Sequence, residues 1–136
     1  MALRLIPHIH RATHRIGLHI AKLEDPAVNQ AEAHVLAHLA VVREATIGEV
    51  HRAFGHRRST LTSILDRLEA RNLIARTSDA RDRRTFIVSL TRNGRAAARK
   101  VVGHLSAVER RVLQDVPAAD IRTFLRVLER FEGDED

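Results

Sequence analysis

The sequence predicts a mainly α fold of the α+β class, in which a small β-hairpin interrupts a run of helices. Three observations predict it. Apolar residues recur at helical spacing over most of the chain. After Asn72 that spacing drops to two for a short stretch before the helical period returns. Asparagine, threonine, glycine and proline stand where helices should begin and end. At 136 residues, 44% of them hydrophobic and 29% charged, the chain can bury one core and is read as a single unit over residues 1–136.

The elements follow in order. Leu3 to Leu23 reads as a helix, started late or kinked by Pro7, and Asp25-Pro26 ends it because the position before proline disfavours helical geometry. Asn29-Gln-Ala-Glu32 has the form of a capping box, and Val35, Leu36, Leu39 and Val42 supply the core stripe of the helix behind it. Thr46 caps a short helix with Ile47, Val50 and Phe54 on one face, and Gly55 ends it. In the next helix Leu61, Ile64, Leu65 and Leu68 stand at i, i+3, i+4 and i+7, opposite Ser59, Thr62, Ser63 and Arg67. An ordinary solvated face carries Glu and Lys, whereas short hydroxyls with an arginine suit base edges and phosphates. Two short helices joined by a turn at Gly55-His56-Arg57 fit a helix-turn-helix.

Leu73 to Thr77 and Thr85 to Leu90 read as strands, with Phe86, Val88 and Leu90 on one face and a charged tip, SDARDRR, between them. Thr91 caps a long helix running to about Gln114. Pro117 opens the last helix, where Ile121, Phe124, Leu125, Leu128 and Phe131 form a stripe. The acidic tail Gly133 to Asp136 is expected to fray. No repeat, linker or low-complexity stretch interrupts this order.

Composition then narrows function. No apolar run approaches the roughly 20 residues of a membrane helix, and the N-terminal stretch lacks the apolar region of a secretory signal. With no cysteine, disulfides and thiol chemistry are excluded, as expected of a cytoplasmic protein. An enzyme is not expected: there is no H-E-x-x-H, no G-x-S-x-G and no phosphate loop. The net charge of +6 is unevenly spread. Between Arg52 and Arg99 twelve arginines stand against four acids, a local +8 that leaves −2 for the rest. Codon bias accounts for 21 arginines against 2 lysines, but not for their concentration in one segment. A focused arginine patch attracts a polyanion. Single strands are gripped by aromatic platforms, and a chain with no Trp, no Tyr and four Phe has few of them. Double-stranded DNA is the expected partner.

Three signatures stand in order within this segment: T-x-x-x-D-R-L-E at Thr62 to Glu69, D-R-R at Asp82 to Arg84, and S-L-T-x-x-G at Ser89 to Gly94. With them the chain resembles, over essentially its whole length, the MarR family of winged helix-turn-helix regulators. The resemblance implies a winged DNA-binding domain over residues 29–91 and a helical dimerisation region from residues 1–28 and 92–132. It implies a homodimer without cofactor, acting as a ligand-responsive repressor. Its two recognition helices would enter successive major grooves about 34 Å apart on a pseudo-palindrome.

Matched by position, Ser59, Thr60, Thr62, Ser63 and Arg67 fall where the family meets bases and backbone. Arg57 and Arg58 stand at the entrance of the same helix. Arg84 falls where the wing-tip arginine enters the minor groove, Arg81 and Arg83 where phosphates are met, and Asp82 can hold the tip by pairing with an arginine. Asp66 and Arg67 have a second reading as intrahelical or hairpin-bracing ion pairs. The chain departs from the family at His56-Arg57, where an apolar residue and an acid are usual, and at Asn72, where glycine is usual.

His10/His14 and His34/His38 are each spaced i, i+4, as metal ligands on a helix are, and His104 or a carboxylate could complete a site. The alternative places these rings half-buried at a helix interface or around an organic ligand. By resemblance the effector is a small anionic aromatic molecule, with Arg11, His14, Arg15, His34 and His38 as positional candidates. For Arg11 and Arg15 an exposed helix face is the other reading. A metal-responsive regulator and a ligand-independent architectural DNA-binding protein are the competing functional readings.

Overall fold

The computed structural model describes residues 1–135. Its elements run α1 (Ile6–Ala21), α2 (Gln30–Val42), β1 (Glu44–Thr46), α3 (Ile47–Phe54), α4 (Arg58–Ala70), β2 (Ile74–Ser78), β3 (Phe86–Leu90), α5 (Arg92–Val112) and α6 (Ala118–Glu132). Met1–Ser106 forms one compact unit and Ala107–Asp136 a second.

Local chemistry sets the helix starts. Pro7 lies in the first turn of α1, where its missing amide costs no hydrogen bond, so it starts this helix and does not kink it. Asn29 Oδ1 accepts from the Glu32 amide at 2.8 Å while Glu32 Oε1 accepts from the Asn29 amide at 3.0 Å, the reciprocal box expected for α2. Thr46 caps α3 in the same way. Its Oγ1 accepts from the Glu49 amide at 3.1 Å and Glu49 Oε2 accepts from the Thr46 amide at 3.0 Å. Gly55, at φ 66°, closes α3 in left-handed geometry. Asn72 takes the same region at φ 57°, which asparagine tolerates better than a branched residue.

The core of the first unit draws on the stripes read from the sequence, except that Val42, expected in the α2 stripe, is 41% exposed as the last residue of that helix. Leu36 and Leu39 of α2, Val50 of α3, and Leu61, Ile64, Leu65 and Leu68 of α4 are buried together with Ile20, Val88, Ala98 and Val101. The sheet is antiparallel with order β1-β3-β2, Ala45 opposite Val88 and Thr77 opposite Ile87. Strand β1 was not expected. Three residues are too few for a period of two to show, and its pairing with β3 joins segments far apart in the chain. The face of β3 is also shorter than expected. Val88 and Leu90 are buried, but Phe86 is 47% exposed at the wing end, beyond the reach of the helices.

The start of α5 is locked to the residues that follow α4. Thr91 Oγ1 donates to the Asn72 carbonyl at 2.6 Å and accepts from the Gly94 amide at 2.9 Å, and the Thr91 amide donates to the Leu73 carbonyl at 3.1 Å. A Cβ on Gly94 would overlap that Leu73 carbonyl oxygen, so this position needs glycine for close approach. In the second unit, Phe124, Leu125 and Phe131 of α6 are exposed. Gly133 to Glu135 are exposed and non-helical, and the end of the expected fraying tail, Asp136, lies outside the described residues.

Candidate nucleic-acid interface

Helix α4 buries one face and offers the other. Arg58, Ser59, Thr60, Thr62, Ser63 and Arg67 are all exposed, as is Arg57 just before the helix. No side chain caps α4, so its first amides are open to an acceptor from outside. The wing is a charged turn built on two aspartates. Asp79, buried, accepts from the Arg81 amide at 2.9 Å, and Asp82 accepts from the Arg84 amide at 3.1 Å. Each bonds a backbone amide two residues on, as Asx turns do. The spacing D-x-R twice in succession is the signal for this turn, and it gives Asp79 a role that sequence reasoning missed.

The tip arginines stand free of the core. Arg81 and Arg84 side chains are 84% and 90% exposed, and Arg83 is exposed as well. Asp82 does pair with an arginine: Arg84 Nε and Nη2 lie 3.0 and 3.2 Å from its two oxygens. These bonds hold the Asp82 carboxyl below the usual carboxylate range. They also orient the Arg84 fork while leaving Nη1 without a partner from Asp82.

The bracing of the wing to α4 falls to Arg76, which sequence reasoning did not single out. From β2 its Nη2 donates to Asp66 at 2.6 Å and to Glu69 at 3.0 Å, while Nε donates to Glu69 at 3.2 Å. Hydrogen bonding to Arg76 lowers the Glu69 carboxyl and, reciprocally, raises the Arg76 guanidinium above its ordinary value. Of the two residues read as bracing candidates, Asp66 therefore braces the hairpin. Arg67 instead lies 3.8 Å from Glu32, the carboxylate of the α2 capping box, with half its side chain exposed. We predict that Arg76→Ala weakens DNA binding severalfold while the thermal midpoint falls by a few degrees at most, because exposed ion pairs contribute little to stability. Equal losses of affinity and of folded fraction would show that Arg76 serves stability alone.

The histidines do not gather. His38 meets the Phe54 ring edge-on at 5.3 Å, and His56 stacks on Phe54 at 5.8 Å with its Nδ1 buried and unpartnered. His104 Nε2 donates to the His19 carbonyl at 2.7 Å. Among the described residues no three His, Asp or Glu side chains come together as metal ligands. Arg11, His14 and Arg15 are exposed on α1, and Arg11 donates to His8 at 3.2 Å. His34 and His38 are half-buried on α2.

Burial pushes the His34 imidazole below its ordinary value. The unfolded chain then binds the proton more readily than the folded one. Stability contributed by neutral His34 is complete above about pH 6.5 and declines as pH falls from there toward the lowered folded value. His34→Gln is expected to flatten this part of the pH–stability curve in denaturant titrations, and an unchanged slope would refute it.

A tight helix pair, α3 and α4, set between the first and second strands of a three-stranded sheet with a charged hairpin tip, defines a winged helix-turn-helix protein. Residues 28–85 match the model of the MarR family. Through this segment the chain belongs to the MarR family. It is 33% identical over 94 residues to the HTH-type transcriptional repressor MdtR of Bacillus subtilis (strain 168), covering 69% of this chain and 61% of that relative. S. aureus MepR in its DNA-binding conformation superposes with a TM-score of 0.86 at 19% identity, over 95% of this chain and 96% of that one. A mutant MarR from E. coli complexed with operator DNA gives 0.76 at 20% identity, over 93% and 94% of the two chains. These structural likenesses establish the fold.

Proposed function

We propose that the protein is a homodimeric, effector-responsive transcriptional repressor, not an enzyme, that binds double-stranded DNA at a pseudo-palindromic operator. Helix α4 reads the major groove through Ser59, Thr60, Thr62 and Ser63, with Arg57, Arg58 and Arg67 on backbone or bases. The wing sets Arg84 in the minor groove, where width and negative potential are read, and Arg81 and Arg83 on phosphates. The observation that carries this reading is the exposed polar face of α4, anchored from behind by buried Leu61, Ile64, Leu65 and Leu68 and braced to an arginine-tipped wing by Arg76. The relatives support it: MdtR is named a transcriptional repressor, and the E. coli MarR structure holds operator DNA.

Pairing is supported by apolar surface left open in each unit. Leu5, Ile6, Ile16 and Leu18 are exposed in and just before α1, and Phe124, Leu125 and Phe131 on α6. Such surface is unusual on a monomer and fits a second copy. The test is footprinting on the region upstream of its own gene, against random DNA at stated salt. Two protected half-sites one helical turn apart, about 34 Å, support the reading. A single contact by a monomer overturns the dimer, and equal affinity for random DNA makes the protein architectural. The effector arm is tested by repeating the titration with phenolic acids.

A further inference from the structure

A groove of about 550 Å³ opens between the end of α2, the end of β3 and the first turns of α5. Arg43, Arg95 and Arg99 line it and no acidic side chain does. Buried Leu39 and Leu90 provide its apolar part. Arg95 Nη1 donates to the Leu90 carbonyl at 3.3 Å, which sets that guanidinium at the end of the strand. Arg43 and Arg99 take part in none of the ion pairs found among the described residues. Three cations therefore share one concave surface, with no ion pair to neutralise them among the described residues.

The backbone adds a second observation. Arg43 ends α2 at φ 70° and ψ −52°, a conformation that L side chains rarely adopt. Glycine would make this turn with less strain, so the arginine is held in the groove against a local preference. Strain of this kind collects where side chains are positioned for binding.

We propose that this groove binds a small organic phosphate ester. A guanidinium fork bonds two phosphate oxygens at once, and three of them match a dianion better than a single carboxylate charge. Leu39 and Leu90 take the apolar part of the ester, and the volume is that of a small-molecule site. The groove is separate from the proposed DNA contacts of the wing. It lies at the Leu90 end of β3, and the tip arginines precede Phe86, about 13 Å away along the strand. It also uses none of the histidines and arginines of α1 and α2 considered above as effector ligands.

The inference stands apart from the DNA reading, because its test needs no DNA to show binding. The full chain is titrated with phenyl phosphate, inorganic phosphate and benzoate while backbone amide resonances are followed. Saturable shifts at Ala40, Arg43, Ser89 and Arg95, strongest for phenyl phosphate and weakest for benzoate, are expected. Arg95→Gln/Arg99→Gln is expected to lower phenyl phosphate affinity about tenfold or more with its thermal midpoint and DNA affinity unchanged. Arg43→Gly provides an independent check, since it should raise the thermal midpoint by relieving the backbone and still weaken the ligand. Shifts confined to Arg57, Arg58 and the wing tip overturn the proposal, as does benzoate binding as well as phenyl phosphate. Unchanged affinity in both variants also overturns it. So does a loss of DNA affinity in the double glutamine variant, which would make the groove a contact for the DNA backbone.

Discussion

Gly94→Ala is expected to cost about 3 kcal/mol or more and to lower the thermal midpoint by about 10 °C or more. The added methyl would overlap the Leu73 carbonyl oxygen and sit 2.8 Å from the carbonyl carbon. Overpacking is tolerated when a flexible side chain can swing aside, but here the obstacle is backbone. That backbone is fixed twice over, since the Leu73 carbonyl accepts from Thr91 and Leu73 donates to Leu68. Gly103 supplies the internal control. It lies in the same helix with open space where its Cβ would go, so Gly103→Ala is expected to stabilise by about 0.5–1 kcal/mol through helix propensity. Thermal unfolding of both variants checks the pair. A Gly94→Ala protein melting within a few degrees of the parent would show that α5 can lift off Leu73 freely.

Arg84→Ala is expected to weaken operator binding by about 1–3 kcal/mol, the range of a lost groove contact, with stability unaffected. The side chain is 90% exposed and among the described residues it pairs with Asp82, itself on the exposed wing turn, so nothing in the core depends on it. Asp82 plays the supporting part, fixing the turn through the Arg84 amide and aiming the guanidinium through its carboxylate. Asp82→Ala should therefore also weaken binding, by less than Arg84→Ala. Fluorescence anisotropy at two salt concentrations separates groove readout from phosphate attraction, because a phosphate contact mainly changes the salt slope. Unchanged affinity for Arg84→Ala would remove the wing from the proposed interface.

What the sequence disclosed depended on how local the physics was. Both capping aspects of α2 lie within four residues, Asn29 to Glu32, and the stripe of α4 within eight, Leu61 to Leu68; these were legible. For α3 Thr46 was legible, although its partner Glu49 was passed over. Strand β1 was not legible because its meaning comes from β3, more than forty residues on. Arg76 was missed for a related reason: its carboxylates lie on the preceding helix, across a turn that reverses the chain. Arg67 was read from its place on the outer face of α4, yet its nearest carboxylate, Glu32, comes from another helix. Of the groove residues, Arg95 and Arg99 were counted only within the arginine-rich segment and Arg43 not at all, since only folding brings the end of α2 beside the start of α5.

The joint formed by Asn72, Leu73, Thr91 and Gly94 has a mechanical consequence. It ties the C-terminal end of α4 to the N-terminal end of α5 through bonds of 2.6 to 3.1 Å, with no slack loop between them. From this pivot, the stretch of α5 from Arg92 to Ser106 extends about 21 Å and α4 extends about 18 Å back to Arg58. The arms are nearly equal. A tilt that moves Ser106 by about 1 Å moves the entrance of the recognition helix by about 0.9 Å if the pivot holds. The device passes motion on at almost one to one, so any signal reaching α5 must already have the amplitude that the reading head needs.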